Sequence, residues 1–338
     1  MTRDGVRFSV PDRDRALRRV SLAHDLVQPR RIPFERRGDR FELEFERPPA
    51  NRLEYLLALE RRNGEAVLVP DPGNPLQAAG PFGPKSVVEF PEYEPPEWLD
   101  DDESPPGALE EAALRGRLRV PALAWTAAEA DPASPLPLLL VHDGPEYAEY
   151  CSLLRLLDHL VAFGELPPFR AVLLPPPLDR NETYSASARY ARALVEDWLP
   201  GLRPFAGRPV GLGASLGALA WLHAHWMYPG ALGGLFLQSG SFFRRRLDPQ
   251  ETGAPRFARI TRFVSRVFGG RAPAERIPVT LTCGTAEENL GNNRAVASAL
   301  QRRGWQAPLV EHPDAHNWVS WRDSLYPHLA ELLLRAGG

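Results

Sequence analysis

Five consecutive residues, Gly213-Ala214-Ser215-Leu216-Gly217, carry the sharpest chemical signal in the chain. They follow the apolar run RPVGL and open the stretch LGALAWLHAHWM. In that strand-to-helix setting a G-x-S-x-G pentapeptide presents its serine as a nucleophile. The glycines have a steric reason, because side chains two residues either side of so sharp a turn would hold strand and helix apart. A helix beginning at Leu216 also aims amide N–H groups and its positive dipole end at any charge developing beside the serine. Ser215 is therefore the expected nucleophile and Leu216 the expected oxyanion donor. The bland reading of the same pattern is a glycine-rich packing turn.

A serine nucleophile needs a base and an acid to orient it, and after a strand–turn–helix elbow these follow in the order acid, then base. Of the eight histidines, His159, His223, His225 and His328 fall in predicted helices, His24 in a β-rich region, and His142 ahead of the serine. His316 lies in the loop HPDAHNWVSW, between the last predicted strand and the last predicted helix, and is the expected base; His312 is the alternative. The acid is expected just past the run IPVTLTCG, where Glu287 and Glu288 are the carboxylates at hand. Glu287, three residues beyond Gly284, is preferred and Glu288 is the alternative; one of them can instead cap the helix starting near Asn289.

Two kinds of element position these residues. Residues 1–92 hold short alternating or β-rich runs at 6–10, 18–26, 41–46, 53–60 and 86–90, separated by the turn signals PDRD, RRGD, PPANR and PDPGNP. They predict a small β-sandwich. Residues 93–107, YEPPEWLDDDESPPG, are acidic and proline-rich and are expected to link two domains. From 108 to 338 the period changes. Near-continuous apolar strands at 136–144, 169–176, 208–214, 233–240 and 277–284 alternate with amphipathic helical stretches, which predicts an α/β domain with a mostly parallel sheet covered by helices on both faces.

The 338 residues suit two domains, and 43% hydrophobic with 25% charged residues is an ordinary globular balance. A net charge of −3 offers no footprint for nucleic acid. No apolar run is long enough for a membrane span and the N-terminus has no signal-like core, so a cytoplasmic protein without membrane partners is expected. Cys151 and Cys283 lie in apolar runs and are expected as buried free thiols. The chemistry calls for no metal and no cofactor.

Four segments together resemble a known family: GASLGALAWLHAHWMYPGALGGLFLQSGSFF, DRNETYSASARYARALVEDWLP, GTAEENLGNNRAVASAL and DAHNWVSWRD. They are similar to the enterochelin esterases, within the wider esterase-D-like group of α/β hydrolases. The N-terminal β region resembles the immunoglobulin-like early-set domain that these esterases carry. The resemblance implies an α/β-hydrolase fold and hydrolysis of ester bonds, with iron-siderophore trilactones as the family's best-known substrate. It also implies Ser215 as nucleophile, His316 as base and a carboxylate within GTAEEN. Relatives in the group commonly take a second oxyanion donor from the residue after an aspartate-glycine pair, but here Pro145 stands at that place and has no N–H. Gly144, Glu146 or Tyr147 must then donate, or Leu216 serves alone; Gly144 is preferred.

The implied small-molecule partner, an ester and in particular an anionic ferric siderophore, calls for cationic and aromatic groups on loops after the strands. Arg180, Tyr147 and Trp318 are the candidate substrate contacts, with the triplet Arg244, Arg245 and Arg246 behind them. The competing readings are a carbohydrate esterase of feruloyl or acetyl type, another acyl-group hydrolase, and a catalytically idle binding protein. The β region holds no tryptophan before Trp98 for stacking on sugar rings.

Overall fold

Alternation of apolar and polar residues turns the first ninety residues into short strands. The computed structural model describes residues 5–26, 31–128, 130–131, 133–202 and 204–337. It divides into two units. The first comprises Met1–Glu94 together with two distant segments, Gly284–Glu288 and Glu311–Ser320. Its strands are β1 (Gly5–Pro11), β2 (Leu17–His24), β3 (Arg31–Pro33), β4 (Glu35–Arg37), β5 (Arg40–Glu46), β6 (Arg52–Arg61), β7 (Ala66–Val69), β8 (Gln77–Ala78) and β9 (Lys85–Glu89). They form one sheet ordered β1-β5-β4 and another ordered β3-β2-β6-β9-β8, with β7 paired to β6. Among the described residues the strand pairings in this unit are antiparallel, with Phe8 opposite Leu43 and Leu57 opposite Leu22. Each run expected from alternation overlaps a strand, although residues 25, 26 and 90 lie beyond the strand ends. The four strands not anticipated, β3, β4, β7 and β8, have two to four residues each, too few to show a period.

Phe8, Leu22, Phe41, Leu53, Tyr55, Leu57 and Phe90 build the core of this unit, and two alanines from far along the chain, Ala286 and Ala315, complete it. Hydrogen bonds hold the distant segments in place. The Asn51 amide donates to Pro313 O at 2.6 Å, and Thr285 Oγ1 donates to Pro49 O at 2.7 Å.

The second unit comprises Pro95–Cys283, Asn289–Val310 and Trp321–Gly338. An eight-stranded sheet runs through it in the order β10-β11-β13-β12-β14-β15-β16-β17, where β10 is Ala108–Leu114, β11 Val120–Thr126, β12 Leu136–His142, β13 Arg170–Leu174, β14 Phe205–Ala214, β15 Gly234–Gln238, β16 Val279–Gly284 and β17 Leu309–His312. From β13 to β16 the neighbours are parallel, whereas β10 and β11 pair antiparallel. The sheet is therefore mixed. Its central strands are buried along their whole length, as strands covered on both faces must be. The sequence did not announce β10 and β11, because ALEEAAL and VPALAWT read as helix former and proline-broken run, and pairing overrode that composition.

The helices are α1 (Gly144–Tyr150), α2 (Leu153–Ala162), α3 (Arg180–Tyr184), α4 (Ala188–Arg192), a widened turn over Ala193–Trp198, α5 (Leu199–Gly201), α6 (Leu216–Met227), α7 (Phe257–Gly269), α8 (Leu290–Arg302), α9 (Trp318–Asp323) and α10 (His328–Gly337). Two expected helices are split. Ser152, in the left-handed region at φ 50°, separates α1 from α2, and Pro327 falls between α9 and α10. The acidic, proline-rich stretch after residue 94 belongs to the second unit, where Trp98 is buried and Arg155 binds Leu99 O and Asp101 O at 2.9 Å each. Both cysteines are fully buried. Among the described residues, no helix is long and apolar enough to cross a membrane.

Candidate active site

The turn from β14 into α6 has the strained geometry expected of an elbow. Ser215 sits at φ 55°, ψ −119°, a region that costs a residue with a side chain about 1–3 kcal/mol and is kept only where neighbours hold it. Here the Ser215 amide donates to Gln238 O at 2.9 Å, and its carbonyl accepts from Ser241 N at 3.1 Å and Leu219 N at 3.2 Å. The flanking glycines are tightly enclosed. A Cβ on Gly213 would come within 3.0 Å of the Gly217 carbonyl carbon, and one on Gly217 within 3.2 Å of His142 Cβ. The Ser215 hydroxyl is partly exposed and lies 3.0 Å from Ser241 Oγ.

Leu216 opens α6, so its amide has no acceptor within the helix. Beside it, at the end of the neighbouring parallel strand β12, Asp143 turns the chain at φ 51° and Gly144 opens α1. A Cβ on Gly144 would strike Leu173 Cα at 2.4 Å, so only glycine lets the chain pass. The next residue is Pro145, and the first bond of the helix runs from Tyr147 N to Asp143 O. Two helix starts with unsatisfied amides thus share one end of the sheet.

The first unit holds the imidazole and carboxylate. His316 Nδ1 lies 2.8 Å from Glu287 Oε2, with the Glu287 side chain wholly buried and His316 30% exposed. A carboxylate only accepts, so Nδ1 carries the proton and Nε2 is the basic nitrogen. Glu287 Oε1 accepts the Gly284 amide at 2.9 Å, which fixes the carboxylate from its other side. Trp318, two residues beyond His316, is partly exposed at the start of α9. His312 Nε2 is 2.7 Å from Ser320 Oγ.

His142 is held within the packing of the large sheet. It is fully buried, stacked on Trp221 at 4.0 Å between ring centroids. Its Nδ1 faces Gly217 O at 3.0 Å and therefore donates, so Nε2 accepts from Tyr190 OH at 2.8 Å. Burial pulls its pKa down to about 3, against the opposing pull of the bond to Gly217.

Two expected substrate contacts take other places. Tyr147 is completely buried, and its hydroxyl donates to Gln238 Oε1 at 2.7 Å; it braces the ends of α1 and β15 and does not line a binding surface. Arg180 grips neither Asp179 nor Glu182. It forms a forked pair with Asp143, Nη2 to Oδ2 at 2.8 Å and Nε to both oxygens at 3.2 Å, over the ring of Tyr184. Burial works against its charge, yet Asp143 outweighs it and the guanidinium pKa lies above its ordinary value. Of the arginine triplet, Arg244 lies over the Phe268 ring while Arg245 and Arg246 are exposed. Among the described residues, no group of three or more histidine, cysteine or acidic side chains is placed to hold a metal ion.

This architecture has close counterparts among solved structures. The enterobactin esterase of Shigella flexneri, determined in the presence of enterobactin, superposes with a TM-score of 0.75 at 20% identity, over 97% of this chain and 92% of that one. The ferric enterobactin esterase of Salmonella typhimurium gives 0.76 at 20% identity with the same coverage. The chain has the fold of the enterobactin esterases. A ferulic acid esterase of Anaeromyces mucronatus shares less of it, with a TM-score of 0.56 at 14% identity over 72% of this chain and 96% of that one. In sequence, the iron(III) enterobactin esterase of Dickeya dadantii is 29% identical over 218 residues, 60% of this chain. That match spans 48% of the Dickeya protein, about half of its length. No family model matches the chain.

On this enterobactin-esterase fold the sequence reading passed over several site neighbours. The pairing of Asp143 with Arg180 escaped notice because the two residues are 37 apart and nothing local marks it. Ser241 and Gln238, which hold Ser215 in place, sit in the segment QSGSFF; its position just past β15 was their only signal. Asp314, two residues before the candidate base, read as an ordinary loop residue.

Proposed function

We propose that the chain is a serine esterase acting through Ser215, His316 and Glu287, with a siderophore or related polyester as substrate. The observation that carries this reading is the His316–Glu287 pair, which commits Nδ1 to the carboxylate and reserves Nε2 for proton transfer. Ser215 Oγ attacks the ester carbonyl carbon while its proton passes to His316 Nε2. Glu287 stabilises the imidazolium so formed, and the amides of Leu216 and Gly144 receive the oxyanion. The tetrahedral intermediate collapses, the C–O bond to the leaving alcohol breaks, and the imidazolium protonates that alcohol. Water then attacks the acyl-enzyme by the same route, releasing the acid and restoring Ser215.

The siderophore reading draws on the fold, since solved counterparts carry enterobactin esterase activity in their names, and on Trp318 beside the base. The two sheets of the first unit are read as a sandwich of the early-set kind, and the protein as cytoplasmic, acting without nucleic-acid or membrane partners. A second reading, an esterase for feruloyl-type esters, is favoured by the ferulic acid esterase likeness. Both readings start from one assay. Purified protein should hydrolyse a short-chain nitrophenyl ester and be labelled by a fluorophosphonate at Ser215. A panel of enterobactin, its linear fragments and methyl ferulate then separates them by kcat/KM. An inert protein, or label at Ser239 or Ser241, would remove the proposal.

A further inference from the structure

His316 is flanked by Ala315 and Asn317, and both neighbours are bonded to one oxygen. Asp314 Oδ1 accepts the Ala315 amide at 2.7 Å and Asn317 Nδ2 at 3.0 Å. Its main chain serves the acid's segment as well. Asp314 O accepts the amide of Ala286, the residue before Glu287, at 3.1 Å, and a Cβ on Gly284 would come within 2.3 Å of that same oxygen. The turn is closed further along, because Asn317 Oδ1 accepts Ser320 N at 2.8 Å and Ser320 Oγ contacts His312 Nε2.

We infer that Asp314 is a positioning residue for His316, tying the base's turn to the acid's segment and seating both on the β unit. The inference rests on the proposed Ser215–His316–Glu287 esterase chemistry. Asp314 touches no reacting atom, so its effect passes through the imidazole it orients. A base displaced by an ångström from its working geometry costs about 100-fold in rate without any loss of binding contacts.

The surroundings explain why an acid is tolerated there. Asp314 is 5% exposed. Facing it from β6 are the buried Arg52 and Glu54. Arg52 lies 3.4 Å from both Glu54 and Glu89, and Lys85 on β9 pairs with Glu54 and Asp25. Burial pushes the Asp314 pKa up to about 7, with the Arg52 charge and the two donors pulling the other way and Glu54 adding to the rise. Glu287, Glu288, Glu311, His312 and His316 are the remaining titratable groups on its own segments. Oδ1 accepts whether or not Oδ2 holds a proton, so an asparagine oxygen can stand in for it.

The test uses the full chain, a short neutral nitrophenyl ester and a temperature well below the unfolding midpoint. Asp314→Ala should lower kcat about 10- to 100-fold and leave KM within about twofold, while Asp314→Asn should recover kcat to within about threefold of wild type. A wild-type kcat in Asp314→Ala, or a loss in Asp314→Asn equal to that in Asp314→Ala, overturns the inference. Should Asp314→Ala fail to fold, Asn317→Ala removes one of the two bonds and is read by the same criterion. Ser215→Ala run alongside keeps the two claims apart. Wild-type rate in Ser215→Ala sinks the esterase reading and this inference with it; wild-type kcat in Asp314→Ala beside an inactive Ser215→Ala sinks this inference alone.

Discussion

The Glu287 carboxylate bridges two donors, with Oε2 2.8 Å from His316 Nδ1 and Oε1 2.9 Å from the Gly284 amide. Glu287→Gln therefore does more than remove a charge. The amide oxygen must stay on Gly284 N–H, so the NH2 group faces Nδ1, which can then only accept. The ring takes the opposite tautomer, with the proton on Nε2, and loses its basic nitrogen. The expected loss in kcat is about 1,000- to 10,000-fold, while Glu288→Gln should remain within about threefold of wild type. Steady-state rates of the two variants on one short ester decide it, and equal losses would remove Glu287 from the acid's role.

Ser215→Ala should abolish fluorophosphonate labelling and lower kcat by several orders of magnitude, about 1,000-fold or more. The alanine inherits the φ 55° backbone, so its unfolding midpoint should match wild type within a few degrees. Ser241→Ala removes the hydroxyl 3.0 Å from Ser215 Oγ, and about 1 kcal/mol of hydrogen bonding sets its ceiling at a rate change of about fivefold. Mass spectrometry of the labelled peptide checks the site directly.

Arg180→Ala leaves Asp143, whose side chain is 5% exposed, without its cation. Breaking a buried pair costs about 3–5 kcal/mol, and because the Arg180 side chain is one-third exposed the figure here is nearer 2 kcal/mol. Asp143 precedes Gly144, so kcat should fall on every ester alike. The ratio of kcat/KM between an anionic catechol ester and a neutral short ester should stay within about twofold of wild type. A selective rise in KM on the anionic ester would restore Arg180 to the ligand.

The contributions of Asp314 and Glu54 to stability should fall as pH rises through the weakly acidic range, while the buried neutral His142 and His223, with pKa values pulled down to about 3 and about 4, act in the opposite sense. Burial raises the pKa of Glu54, and that of Asp314 to about 7, so the folded chain keeps these protons where the unfolded chain has released them. Below the ordinary carboxylate range both states are protonated and the effect vanishes. Between about pH 4 and about pH 7 Asp314 lowers stability by on the order of 1 kcal/mol per pH unit, and Glu54 acts in the same direction. The denaturant midpoint of Asp314→Asn, measured relative to wild type at each pH, should rise across this range. Parallel slopes would mean that Asp314 ionises normally.

The elbow was legible because its glycines and serine answer one steric demand written into five residues. His316 was legible from its place after the last strand. Glu287 is preferred to Glu288 on its distance from Gly284 alone, and it is the side chain that turns inward to meet Gly284 N and His316 Nδ1. Arg180 was visible as a charge after a strand, but its partner Asp143 lies in another loop, and only folding brings the two together. The strands β10 and β11 were hidden by alanine and glutamate. Least legible was the affiliation of the segments 284–288 and 311–320, which read as ordinary loops of the large sheet. Contacts with Pro49 and Asn51, more than two hundred residues earlier, reveal where they sit.

That affiliation sets an order of assembly as the ribosome delivers the chain. The β strands emerge ahead of the large sheet, yet Ala286 and Ala315, which finish their apolar core, arrive only after strands β10 to β16 have been made. Until then the nascent β unit must wait with part of its interior uncovered. Nor can the unit be exchanged for another module by splicing at its C-terminal boundary, because the pieces that complete it, Glu287 and His316 among them, are encoded far downstream.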